Sequence, residues 1–266
     1  MESIIKEKLN NFFSFFNGEY GREEEEAQLK GKSKIIGVYG TQGGVGTSSF
    51  ITQLSTNLVQ KGYKTLVIDG DFLTPYHYCK YEPKRDNISL RTYLYNNDIE
   101  EMSKLLVKDS SGVEYLQVTP ISVLDILNFN QEDKFELLRR TLNKLYEFYH
   151  IILIDLNLDL SFIYIEQSFI KEVQLLIEIG SDSLSSKLNK DTTKDIIFNT
   201  IKDVPIFKIQ NKCENEEEKN SLPYAKKFSY YEKMGICYLF SDDVSKDIYV
   251  NKFNNIQQQI LKILGY

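Results

Sequence analysis

The stretch Gly40-Thr41-Gln42-Gly43-Gly44-Val45-Gly46-Thr47-Ser48-Ser49 limits the fold more than any other part of the sequence. It follows a short apolar run, Ile35–Tyr39, and leads directly into SSFITQLSTNLVQKG, whose apolar residues recur at helical spacing. A strand, a turn that permits close backbone approach and a helix opening on that turn form a geometry in which N–H groups and the helix dipole converge on an anion. The spacing from Gly40 to Gly46 is that of the phosphate-binding loop G-x-x-x-x-G-K-[ST], with one departure: the lysine slot holds Thr47. Ser48 keeps the slot whose hydroxyl coordinates Mg²⁺.

Downstream, short aliphatic runs alternate with longer helical patterns, which implies repeated βαβ units and a parallel sheet. Strands are expected at Ile35–Tyr39, Thr65–Ile68, Tyr115–Val118, Ile151–Ile154, Val173–Ile179, Val204–Gln210 and Cys237–Phe240. QEDKFELLRRTLNKLYEF, SKLNKDTTKDIIFNTI and the closing DVSKDIYVNKFNNIQQQILKIL read as amphipathic helices. The expected architecture is α/β, a mostly parallel sheet of about seven strands flanked by helices. With 266 residues, 42% of them hydrophobic, the chain is long enough for one such domain, placed at residues 34–266.

Two segments precede that domain. Residues 1–16 set Ile5, Leu9, Phe12, Phe13 and Phe16 on one face of a short amphipathic helix. Residues 17–33 combine glycines with the acidic run Glu23–Glu26 and read as a flexible linker. Lys6 and Lys8 are offset by Glu2 and Glu7, so the helix lacks the charge of a basic membrane anchor; self-docking or dimer packing, partner docking and membrane contact remain its three readings, in that order.

Composition narrows the function classes. A formal net charge of -6 and a pI near 5.2 give no general attraction to nucleic acid or anionic lipid. Cys79, Cys213 and Cys237 form neither a C-x-x-C pair nor an even set, so a reducing cytoplasm is the expected compartment. No apolar run approaches the roughly 20 residues of a membrane span, and no signal-peptide pattern opens the sequence. His77 and His150, the only histidines, have no nucleophile paired with them by motif.

GTQGGVGTSSFITQLSTNLVQKGYKTLVIDGDF resembles the deviant Walker A region of the MinD/ParA family of P-loop ATPases, in which K-G-G-x-G-K-[TS]-[TS] is followed by a helix, a strand and Asp-x-Asp. HIILIDLNLD resembles that family's Walker B strand, and IFKIQNK its strand that ends in a base-reading Asn. The resemblance implies ATP and Mg²⁺ as ligands. It assigns the nucleotide to Gln42, Gly43, Gly44, Val45, Gly46, Thr47, Ser48 and Ser49, with Asn211, Phe240, Ser241 and Asp242 at the base. It also assigns the metal to Ser48 and, through water, Asp155, and the orientation of attacking water to Asp71.

Both signature lysines of the family are replaced, by Gln42 and Thr47. Losing one charged hydrogen bond costs about 1.5–3 kcal/mol, roughly ten- to a hundredfold in affinity, so weakened binding is compatible with the loop. Hydrolysis suffers more, because a cation on the transition state is worth on the order of 10³–10⁵ in rate; at most a weak ATPase is expected.

Loss of the loop lysine together with GGVGTSS, and the segment SVLDILNFNQEDKFELLRRTLNKLYEFYHIILIDL, resemble the TadZ/CpaE branch. That branch implies an ATP-binding scaffold, a homodimer, in the localisation and assembly of a Tad/Flp, type IV-like pilus or other polar machinery. Partners would recruit it from the cytoplasm to a pole or the inner face of the membrane, with peripheral membrane association. The alternatives are a ParA-like partition ATPase acting on DNA or cargo, and an interaction module that binds no nucleotide.

Overall fold

β1 (Lys34–Gly40) runs through the middle of the sheet, between β5 (Ile151–Leu156) and β6 (Leu175–Gly180), and carries the glycine loop at its C-terminal end. The computed structural model describes residues 33–70, 106–116, 148–156, 173–181, 204–213, 221–223, 227–231, 235–239 and 243–266. The remaining elements are α1 (Thr47–Gln60), β2 (Thr65–Asp69), β3 (Leu106–Lys108), β4 (Glu114–Leu116), β7 (Ile206–Cys213), β8 (Ser221–Pro223), β9 (Lys227–Tyr231), β10 (Gly235–Leu239) and α2 (Asp243–Leu264).

The main sheet has eight strands in the order β3-β4-β2-β5-β1-β6-β7-β8. Seven are mutually parallel, and only the edge strand β3 runs antiparallel, to β4. β1 therefore has later strands on both sides, and the sheet changes winding direction beside it. Crevices at the carboxyl ends of strands form at such a point.

Alternation along the strands divides the sheet into two faces. One carries Ile36, Val38, Val67, Leu153, Leu175 and Ile177, fully buried against α1 and α2. From α1, Phe50, Ile51, Leu54 and Leu58 meet them at helical spacing; from α2, Tyr249, Phe253, Ile256, Ile260 and Leu264 do the same. Phe50 and Phe253 join the helices at a ring separation of 5.5 Å, and the Tyr249 hydroxyl donates to Gln53 Oε1 at 2.7 Å. The loop's helix is thus fixed from two sides.

The other face carries a polar row: Tyr39, Glu178 and Lys208 are register neighbours on β1, β6 and β7. Burial first, then the charge of Glu178 and its hydrogen bond, raise the Tyr39 hydroxyl well above the ordinary phenol range. It stays protonated and donates to Glu178 Oε2 at 2.9 Å, while Lys208 Nζ lies 3.8 Å from Glu178 Oε1. The buried carboxylate thereby has a hydrogen bond on one oxygen and an ion pair on the other.

Most sequence expectations meet their elements within a few residues: β1, α1, β2, β5, β6 and β7 all form, and α2 spans the expected closing helix. The expected strand Cys237–Phe240 differs. β10 covers Gly235–Leu239 and pairs antiparallel with β9 in a separate two-stranded sheet instead of extending the parallel one. The strand expected at Tyr115–Val118 begins one residue earlier, and positions 117–118 lie outside the described residues. So do the segments 1–16 and 17–32 and the helices expected over 131–147 and 186–201. β3 and β4 are joined by Asp109-Ser-Ser-Gly-Val113, where Asp109 Oδ1 accepts from the N–H groups of Ser111 and Val113 and Gly112 takes φ 88°.

Gln257 is fully buried on α2, and among the described residues neither its amide nitrogen nor its carbonyl oxygen has a hydrogen-bond partner. An unsatisfied buried amide costs more than a methyl-bearing side chain of similar volume. Gln257→Leu is therefore expected to raise stability by about 1–2 kcal/mol, read as a higher urea midpoint at unchanged slope. A lower midpoint would show that the amide has a partner it needs. No helix among the described residues is long and apolar enough to cross a membrane.

Candidate functional site

The loop is tied to the sheet at the end of β1. Thr41 N–H donates to Ile179 O at 2.9 Å, which ties the first loop residue to β6. Gly44 and Gly46 take φ values of 76° and 98°, backbone that a side chain disfavours, and Gly46 is the residue from which α1 starts. Val45 turns its side chain inward and is buried, while Gly43 and Gly44 are exposed at the loop's crest. A Cβ on Gly40 would lie 2.6 Å from Thr47 Oγ1 and 2.7 Å from Val45 Cγ2. The glycine is thus the floor on which Thr47 and Val45 rest.

α1 opens on Gly46 without a side-chain cap and with no acidic residue in its first turn. Its first N–H groups, at Thr47, Ser48 and Ser49, have no intrahelical acceptor by construction. With the helix dipole behind them they favour an anion, and a phosphate suits that position. Thr47 adds a hydroxyl and no charge. Gln42 is turned within its own chain: its amide nitrogen lies 3.4 Å from Ser181 Oγ, just past the end of β6.

The acids come from the neighbouring strands. Val38, Asp155 and Asp69 share one register row across β1, β5 and β2. Asp155 is buried to 6% exposure and Asp69 to 1%, both on the face that α1 covers. Ser48 Oγ donates to Asp155 Oδ2 at 2.6 Å, so residues 107 positions apart meet at the base of the loop. A hydroxyl and a carboxylate so placed are hard oxygen donors of the kind Mg²⁺ takes, and Mg²⁺ ordinarily completes its octahedron with water and phosphate oxygens. The donor set fits the metal that the sequence implies.

Gly70 locks the two acidic strands together. Its N–H donates to Asp155 O at 2.8 Å, and a Cβ on it would stand only 2.4 Å from that oxygen. The middle position of Asp69-Gly70-Asp71 therefore admits only glycine, a requirement that the Asp-x-Asp pattern does not reveal. Asp71 itself lies outside the described residues, as do Phe240, Ser241 and Asp242.

Asn211, expected at the base, is placed by the structure against the loop. Its side-chain amide donates to Val45 O at 2.8 Å and occupies the space next to Gly46, where a Cβ would come within 2.6 Å of Asn211 Nδ2. Sequence reasoning located this residue through the strand it ends, and missed the contact with the loop. His150, by contrast, lies at the opposite, amino-terminal end of the central strands, where its Nδ1 accepts from Lys64 N–H at 2.9 Å and its ring packs edge-on to Tyr63.

The model of an AAA domain family, AAA_31, matches residues 33–213. Among solved structures, a putative plasmid partition protein from Borrelia burgdorferi B31 bound to AMPPNP is similar at a TM-score of 0.63, with 20% identity over 87% of this chain and 99% of that one. The MinC:MinD cell division protein complex from Aquifex aeolicus gives 0.61, with 16% identity over 86% and 96% of the two chains. Cobyrinic acid a,c-diamide synthase from Mycobacterium smegmatis, with bound ATP analogue and magnesium, gives 0.55 at 15% identity over 82% and 81%. The fold is that of the ParA- and MinD-type P-loop ATPases. No curated protein matches the sequence.

Proposed function

The chain belongs to the AAA_31 family of AAA domains, and from that premise we propose that it is a Mg·ATP-binding scaffold with little or no turnover. The observation that carries the reading is the meeting of Ser48 and Asp155 at 2.6 Å beneath a glycine loop whose helix opens uncapped. The glycine loop and the Ser48–Asp155 pair support this reading, while positions 42 and 47 hold neutral side chains. Backbone N–H groups and hard oxygens suffice to hold a phosphate chain; accelerating its cleavage asks for charge at the transition state. The partition protein bound to AMPPNP and the synthase with ATP analogue and magnesium support the same ligand class here.

What such a scaffold does follows from its being an ATP-loaded surface. We assign it to the localisation and assembly of a Tad/Flp, type IV-like pilus or related polar machinery, on the strength of the lysine-free loop and the Leu-Asp-Ile-Leu segment. With no cation at position 42 to reach a second nucleotide, a homodimer would be held by protein contacts and sediment as a dimer with or without ATP. Incubated with saturating Mg·ATP, the protein should release phosphate no faster than background. Brisk turnover would contradict the reading, and unchanged pilus assembly and partner position after deletion would contradict the cellular role.

The partition proteins among the similar structures favour a second reading, action on DNA or cargo. It requires DNA affinity that falls steeply with salt. ATP-dependent binding of duplex DNA that weakens steeply with added salt would establish it in place of the first.

A further inference from the structure

We propose that the amino-terminal end of the central strands is the docking face for this chain's own leading segment, residues 1–26. The proposal is independent of the nucleotide-binding reading, because the glycine loop lies at the other end of β1. The segment enters the domain at this face. Lys34 N–H donates to His150 O at 2.9 Å, and the Tyr266 hydroxyl donates to the same oxygen at 3.1 Å. The start of β1 and the residue that follows the last turn of α2 therefore meet at one carbonyl.

The face combines apolar and cationic groups. Tyr266 N–H donates to Leu261 O, and Gly265, at φ 85°, donates to Lys262 O. That turn folds Tyr266 back against Tyr63, with ring centroids 5.0 Å apart. Among the described residues the large apolar side chains left exposed are Val250, Ile263 and Tyr266, and the last two belong to this end. Lys262 on α2 and Lys61, just past α1, stand beside them and are exposed. Neither ammonium is engaged by a carboxylate among the described residues. Two carboxylates on this side of the sheet are occupied elsewhere: Glu114 by the Tyr149 hydroxyl and Lys108, Asp109 by the N–H groups of Ser111 and Val113.

The leading segment carries the complement of both kinds. Ile5, Leu9, Phe12, Phe13 and Phe16 recur at helical spacing, and the acidic run Glu23–Glu26 follows them. Six residues separate that run from Ser33, an extended reach of about 25 Å, and residues 17–32 together span up to about 55 Å. Tyr266 shares its acceptor with Lys34, Tyr63 touches Tyr266, and Lys61 and Lys262 are within four residues of these tyrosines, so the whole face falls inside that reach. A tethered occupant also acts at an effective concentration that a free partner seldom attains. Surface ion pairs are individually weak, so the glutamates set the direction and burial of the phenylalanines supplies the hold.

Zero-length carbodiimide cross-linking of the full chain, as an equal mixture of ¹⁴N- and ¹⁵N-labelled protein read by mass spectrometry, tests this. The expected products join Glu23–Glu26 to Lys61 or Lys262 within one isotopic chain. Phe12→Ser, Phe13→Ser and Phe16→Ser in combination should cut their yield about tenfold or more, since the apolar hold is then gone. These three positions precede the domain, so its folding is not at stake. An unchanged yield in that variant would overturn the proposal, because tethering alone would then bring the glutamates to the lysines. Products that join a light chain to a heavy one would overturn it by giving the face to a second copy. Products confined to other lysines, or none at all, would overturn it as well and leave the face to a separate partner.

Discussion

Thr47→Lys is expected to tighten Mg·ATP binding by about ten- to a hundredfold, the worth of one charged hydrogen bond of about 1.5–3 kcal/mol. The structure gives the reason. Thr47 is the first residue of α1, and its side chain lies over Gly40 at the inner edge of the loop. A longer side chain starting there runs across the loop, and an ammonium at its end meets the phosphates that the N–H groups hold. Thr47→Met supplies the length without the charge and should leave affinity unchanged. Equal affinity in the wild type and Thr47→Lys would mean that the phosphates do not lie over this loop. Turnover should remain low in Thr47→Lys, because Gln42 is still neutral.

The second large effect is on stability and site together. Gly70→Ala places a methyl group 2.4 Å from Asp155 O, far inside contact distance, and what must yield is strand backbone rather than a flexible side chain. Overpacking of this kind costs about 1–3 kcal/mol, and a backbone obstacle puts it at the upper end, about 3 kcal/mol. The displaced segment carries Asp155, so its bond to Ser48 is lost with it. Urea denaturation should show a markedly lower midpoint, and the folded protein should lose the Mg²⁺ dependence of ATP binding. A variant as stable as the wild type would mean that β2 and β5 separate at this end without cost.

The features legible in the sequence are those carried by local pattern. The glycine loop, α1 and α2 announce themselves through glycine spacing and helical periodicity sustained over 14 and 22 residues. The central strands β1, β2 and β5 are continuous apolar runs, as strands buried on both faces must be. Ser48 and Asp155 could be nominated by motif, and their meeting follows from β1 and β5 being neighbours.

Other features depend on which distant residues meet. Three-residue strands such as β3 and β8 carry no period to read. β10 has an ordinary strand composition, and only its antiparallel pairing with β9 removes it from the main sheet. The residues between those two strands, Glu-Lys-Met, lack the Asn-Gly or Asp-Gly signal that marks a tight hairpin. The contact of Asn211 with the loop could not be read either, because it joins β7 to Val45 across 166 residues of sequence. Gly70 is similar: its requirement comes from one carbonyl on another strand.

The central claim is that a loop without its lysine still binds phosphate through N–H groups, Ser48 and Asp155. Calorimetric titration of the protein with Mg·ATP and Mg·ADP, beside Ser48→Ala and Asp155→Ala, tests it most directly. The account predicts saturable binding in the wild type that weakens in both variants and weakens again when Mg²⁺ is withdrawn. No binding in the wild type, or binding indifferent to both substitutions, would contradict it and leave the glycine loop as a feature of the fold alone.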